Sequence, residues 1–379
     1  MNRSFLEAIA TLIGTTIGAG VLGLPYVVAK SGLAVGLLYI IIIGAAVIAV
    51  NLLLGEIVLR TKGNHQLTGY AEKYLGKTGK RLMTLAMTAG IYGALLAYLI
   101  GVGDSIHAVL PQIPVLLAGV LFFAIAASIV KLGLKAVEES ELLLATLTIG
   151  VVSIIIAGAI MSEKFSLANF TVLNPAHVFT PYGVVLFAFL GAVAIPEMKE
   201  ELAGSRKLLK KAIIIGGLFP MAIYSLFAIA VVGISGAATG QIATVDLGER
   251  LGSGWATLAN LFGILAMSTS FIALGLALKE MFMYDYKIGK NTAWMLTCMV
   301  PLIAFLFGIK SFIGVIGLAG AVAGGTEGIL LVSMHHMAQK KKPEMRPEYS
   351  FSKSRLLSVM LFMMFLLGIA YAVLALLRR

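Results

Sequence analysis

Charge is scarce in this chain: 12% of its 379 residues are Asp, Glu, Lys or Arg, against about a quarter in a soluble domain. Apolar residues make up 59%, more than a soluble core of this size can take in. A soluble enzyme and a disordered chain are therefore excluded, and a polytopic membrane protein remains. Cysteine is scarcer still. Cys298 stands alone, so no intrachain disulfide can form and a buried, inert thiol is expected. There is no phosphate loop, no Cys/His cluster and no nucleophile elbow, so neither a metal site nor a cofactor is expected. The composition is even from end to end, which predicts one integral membrane domain over 1–379.

What is present is hydrocarbon in long runs. A spanning helix needs about 20 apolar residues, and eleven segments qualify: 5–29, 32–59, 81–110, 113–130, 138–161, 181–203, 208–236, 255–284, 291–308, 311–337 and 355–377. With the N-terminus inside, 23 of the 29 lysines and arginines fall on inner loops. That asymmetry predicts N-in, C-out. It assigns the excess of basic residues to anionic lipid heads rather than to a nucleic acid. Between spans 2 and 3, Leu67, Tyr70, Ala71, Tyr74 and Leu75 predict a short amphipathic helix. Residues 338–354 read as a solvated loop.

Glycine and proline are badly placed for simple helices. Residues 14–25 read Gly-Thr-Thr-Ile-Gly-Ala-Gly-Val-Leu-Gly-Leu-Pro inside span 1. Gly costs about 1 kcal/mol in a helix interior and Pro about 3, and in a bilayer each freed backbone group needs a partner. Span 6 repeats the signal, with Gly191 five residues before Pro196 as Gly20 is before Pro25. Two interrupted helices, five spans apart and opposite in direction, mark an inverted repeat: 5–161 and 181–337, with 355–377 as an extra helix. At such breaks free N–H groups suit a carboxylate and free C=O groups suit an ammonium or a small cation. A mid-membrane site offering both fits an α-amino acid and a coupling ion. The alternative is glycine for close helix packing.

These residues make the chain resemble the amino-acid permeases of the amino acid–polyamine–organocation superfamily. It is most similar to the aromatic (tryptophan and tyrosine) permeases and the amino acid/auxin permeases. Supporting runs are Glu56, Lys73–Lys77, Tyr92, Tyr98, Gly101–Asp104, Ala266–Leu276 and Pro301–Gly320, while Pro196–Glu201 leans to the auxin branch. The resemblance implies an all-α, 5+5 inverted-repeat fold of the LeuT-like kind. It implies a substrate carboxylate on the amides of Ala19 and Gly20, and an ammonium on carbonyls near Thr16 and Ala188–Leu190. Thr15, Gly18 and Gly191 complete the breaks. Tyr92 is expected to face the cavity and Phe189 to act as an aromatic lid. A sodium ion, if one binds, is implied at Gly14 and Ile17 carbonyls with Ala266, Thr269 and Ser270. The other reading of those hydroxyls is bonding to their own helix.

Glu327, in Gly-Gly-Thr-Glu-Gly of span 10, is the acid deepest in a span. A charged acid there is costly, so it is read either as a protonation or gating group or as a structural hydrogen bond. Glu56 and Arg60 suit an i,i+4 pair. His335 and His336 point apart and make no metal site. Gly101–Asp104 with Tyr284-Asp285 mimics an intramembrane aspartyl protease, but the two acids fall at opposite membrane faces, too far apart for a dyad. The reading is a cell-membrane secondary transporter importing an apolar or aromatic L-amino acid by cation symport, with the proton favoured over sodium. Beyond the amino acid and the lipid bilayer no partner is called for. The alternative is a sensor that binds the amino acid without moving it.

Overall fold

The computed structural model describes residues 3–133, 141–171, 173–351 and 355–377. The start of the fifth expected span, together with Lys135, Lys353, Arg378 and Arg379, lies outside them. The described residues form helices, short helical turns and loops, with no strand among them.

Span 1 is two helices, α1 (Arg3–Thr16) and α2 (Ala19–Ser31), bent by 55° at Ile17-Gly18. The glycines on either side explain why the chain breaks here rather than bending gently. Then follow α3 (Leu33–Arg60), α4 (Leu67–Val109) and α5 (Val115–Leu132), with α6 (Glu141–Ile160) after them. Span 6 is likewise two helices, α7 (Pro181–Phe189) and α8 (Ala194–Glu201). After these come α9 (Leu209–Ser235), α10 (Ala243–Leu251), α11 (Ser253–Asp285) and α12 (Lys290–Leu306). Span 10 runs as α13 (Phe312–Leu318), a π-helical stretch (Ala319–Gly324) and α14 (Gly325–Lys340); α15 (Arg355–Leu377) ends the chain.

Among the described residues eight helices are long and apolar enough to cross a membrane, and nine if the bent pair is one span. The two other expected spans correspond to the shorter apolar helices Thr146–Ile160 and Lys290–Leu306, so length alone does not reach eleven. The short helix expected before span 3 is present: it begins at Leu67 and ends at a kink at Gly76, beyond which α4 continues as span 3. The φ of 71° at Gly76 is open to glycine but costly for other residues.

Packing follows the small residues. A Cβ on Gly36 would sit 2.8 Å from Val28 Cα, and one on Gly183 would sit 2.1 Å from the Gly317 carbonyl. α15 rests on α14, where Phe365 covers Gly328 and Ile369 covers Gly325. Exposed leucines and isoleucines are spread along α3, α5, α12 and α15. They are the faces a bilayer would solvate.

The loop expected to be solvated is largely exposed, and it is also tied down. Glu56 is fully buried at the end of α3 and receives Arg60 Nε at 2.8 Å. It also receives Gln339 Nε2 at 2.8 Å, Ser350 Oγ at 3.0 Å and the Phe351 amide at 2.8 Å, and lies 3.1 Å from His335 Nε2. Tyr349 donates to the Leu52 carbonyl. The amides of Glu344 and Met345 both reach the Arg60 carbonyl at 3.1 Å. The i,i+4 pair is present, then, inside a larger network that holds residues 341–351 across the end of α3. His335 is buried and His336 exposed, so they do point apart.

Candidate functional site

The two broken spans cross at their breaks. A Cβ on Gly20 would lie 2.4 Å from Ala188 Cα, and one on Gly191 would lie 2.6 Å from Thr16 Oγ1. Gly20 thus lets two backbones touch, and Gly191 makes room for the Thr16 side chain. Span 1 packs against α11 less closely: a Cβ on Gly18 would meet Ser270 Oγ at 2.9 Å and the Tyr98 hydroxyl at 3.1 Å, so α11 and α4 close on the first break.

Beside this crossing is a cavity of about 650 Å³, counting its mouth. Thr15, Thr16, Gly18, Ala19 and Gly20 line it from span 1, and Leu190, Gly191, Ala192 and Val193 from span 6. Apolar walls come from Met87, Ile91, Phe187 and Leu274. Among the described residues Glu327 is the sole carboxyl in the lining, and none of them gives it a hydrogen bond or ion pair. On the other side of the breaks Gly23 is pressed against Ile313 and Ile316, with its Cβ position 2.9 and 2.7 Å from their Cδ1 atoms. That side is closed.

The backbone supplies donors. α2 begins at Ala19 with no side-chain cap from Gly18, so its first-turn N–H groups have no helical acceptor. Its positive dipole end adds attraction for an anion. The start of α8 is less available, since the amides of Ala194 and Ile195 bond the carbonyls of Gly191 and Ala192. Thr15 and Thr16 give their hydroxyl protons to their own helix at Thr11 and Leu12. They offer the cavity lone pairs rather than donors.

Several expected positions fall elsewhere. Tyr92 does not face the cavity: its hydroxyl donates to the Leu296 carbonyl of α12 at 2.7 Å. Tyr98, six residues on, takes that wall. Phe189 does not line the cavity. It is buried away from the cavity, with its ring edge on Tyr224 at 5.1 Å and against Gly44 of α3; Phe187 lines the cavity instead. Ala188 is at the crossing but outside the lining, with its carbonyl bonded to the Tyr224 hydroxyl.

Of the ion candidates, Gly14, Ile17, Ala266, Thr269 and Ser270 lie outside the cavity lining. Thr269 bonds the carbonyls of Leu265 and Ala266 on its own helix. Ser270 is buried with its hydroxyl against the break, beside Tyr98 but without good hydrogen-bond geometry to any group among the described residues. Sequence reasoning missed Phe187, Tyr224 and the small wall residues of α4, Gly90 and Ala94. In helices apolar on every side, no stripe tells which residue faces the site.

A bundle of apolar helices, with two broken spans crossing at a mid-chain cavity of free amides, defines a membrane transporter of the broken-helix, inverted-repeat class. The crystal structure of MhsT in complex with L-phenylalanine shares this fold, with a TM-score of 0.71 over 99% of this chain and 98% of that one at 14% identity. Residues 1–372 match the tryptophan/tyrosine permease family, and the chain belongs to that family. Two relatives are similar across most of their length. Tyrosine-specific transport system 1 of Haemophilus influenzae is 24% identical over 90% of this chain and 89% of that protein. Glutamine transporter 2 of Aliivibrio fischeri is 25% identical over 85% and 86%. The family and these relatives are amino-acid transporters, not enzymes.

Proposed function

We propose that this protein imports an apolar or aromatic L-amino acid together with a proton, by alternating access in the cell membrane, with its N-terminus cytoplasmic. The observation that carries the reading is Glu327: an unpartnered carboxyl in the wall of a cavity whose other side is the amide-rich start of α2. The substrate carboxylate takes the first-turn amides of Ala19 and Gly20. The apolar side chain lies among Met87, Ile91, Phe187 and Leu274. An acid in this place is least costly when protonated, so it takes up a proton from the side where protons are plentiful and gives it up where they are scarce. One charge crossing about 100 mV gains about 2.3 kcal/mol. At about 1.4 kcal/mol per decade, that supports roughly 40-fold accumulation.

The test is uptake of labelled tyrosine, tryptophan, phenylalanine and glutamine into proteoliposomes under a proton gradient and, separately, a sodium gradient. Aromatic uptake driven by the proton gradient alone is expected. Drive by sodium alone would overturn the proton assignment and move coupling to Gly14, Ile17, Ala266, Thr269 and Ser270. Uptake of glutamine only would overturn the side-chain preference. Binding without uptake under either gradient would mean a sensor.

A further inference from the structure

Tyr224 stands on α9, one turn beyond Pro220, and is fully buried. Its hydroxyl is 2.8 Å from the Thr16 carbonyl and 2.9 Å from the Ala188 carbonyl. Thr16 ends the first half of span 1, and Ala188 lies in the last turn of the first half of span 6. One phenolic hydrogen is therefore shared between two carbonyls, one from each break. The ring is held by its edge contact with Phe189, at 5.1 Å and 67°. The same two residues make the steric crossing, since Ala188 sits against Gly20 and Thr16 against Gly191.

Two carbonyl oxygens aimed at one point repel each other and call for positive charge between them. In transporter breaks such carbonyls coordinate a small cation, and left empty in a dry interior each is costly. Here the point is filled by a tethered, neutral O–H donor. It needs no ion to be dehydrated and no gradient to keep it filled. We propose that Tyr224 is a positioning residue that holds the two breaks in register, its hydroxyl standing where a monovalent cation would otherwise bridge Thr16 and Ala188. The crossing is then complete before substrate arrives, and no coupling cation binds between these two carbonyls. The effect on substrate rests on the amino-acid reading above; the effect on the crossing itself does not.

Two variants test this in purified protein. Y224F keeps the ring and its contact with Phe189 but leaves both carbonyls unpaired. Buried acceptors that lose their donor are costly, so KM for the labelled amino acid should rise by about 5-fold or more, with kcat changing less. Y224S shortens the side chain and leaves room for an ion. Its melting temperature without substrate, and its amino-acid affinity, should rise saturably with sodium or lithium chloride against choline chloride at equal ionic strength. That rise should exceed any seen in the parent or in Y224F. Parental KM and melting in Y224F would overturn the proposal. So would a Y224S whose melting ignores sodium and lithium, and this arm decides alone if Y224F does not fold. No amino-acid uptake by the parent, with cation-dependent melting of Y224S intact, would sink the transport reading and support this one.

Discussion

Gly20 has no space for a side chain, because its Cβ position is 2.4 Å from a backbone atom of Ala188 that cannot give way. Gly20→Leu should therefore push the two breaks apart and abolish amino-acid binding, as read by scintillation proximity on folded, monodisperse protein. Glu327→Gln removes the titrating proton but keeps the shape. Binding should survive within a few-fold, while uptake should lose its response to a pH step; an unchanged pH profile would reduce Glu327 to structure. The residues at the breaks were legible because Gly and Pro in an apolar span have a cost that only a break explains. The walls were not. Tyr92 and Tyr98 are six residues apart, which turns a helix by about 600° and so sets them about 120° apart. Only the fold says which of the two looks inward, and it is Tyr98.

At the scale of elements, the segment after α14 behaves as a strap. Glu56 is wholly buried, and Arg60 beside it is nearly so. Removing one partner of a buried pair leaves the other uncompensated, at about 3–5 kcal/mol. Glu56→Ala should lower the thermal stability of detergent-purified protein by an amount of that order, and Glu56→Gln by less, since the amide still accepts hydrogen bonds. Glu344 is the exposed end of the same strap. Its carboxylate meets Lys73 Nζ at 2.6 Å and the Lys62 amide at 2.9 Å, and these contacts hold it below the usual carboxylate range. A lowered folded-state value means stability that is present above the ordinary carboxylate pKa and lost as pH falls through the folded one. Melting of Glu344→Gln should accordingly lie below the parent near neutral pH and converge with it in acid. In the sequence, Lys340–Lys342 and Pro343 read as solvent-facing polarity. Nothing local told that Ser350 and Phe351 would reach back some three hundred positions to Glu56.

For the whole molecule, the closed face opposite the cavity depends on Gly23 fitting under Ile313 and Ile316. Gly23→Leu should hold that face open. Cysteines placed there would label faster than in the parent background, and transport would stop while binding persisted. The lone Cys298 is completely buried, so such labelling needs little correction. The number of spans was only partly legible, because a hydropathy run marks apolar chain but not where a helix ends, as the short α12 shows.

The break at Ile17-Gly18 makes α1 an arm hinged at the crossing. Its 14 residues reach about 21 Å at 1.5 Å each, so every 10° of swing at the break carries the far end through about 4 Å. The arm does not swing alone, since the Thr11 hydroxyl bonds Glu201 of α8 at 2.7 Å. The two half-helices are yoked between the middle of α1 and the end of α8, and a small adjustment among the amides at the crossing becomes a doorway's width at the surface.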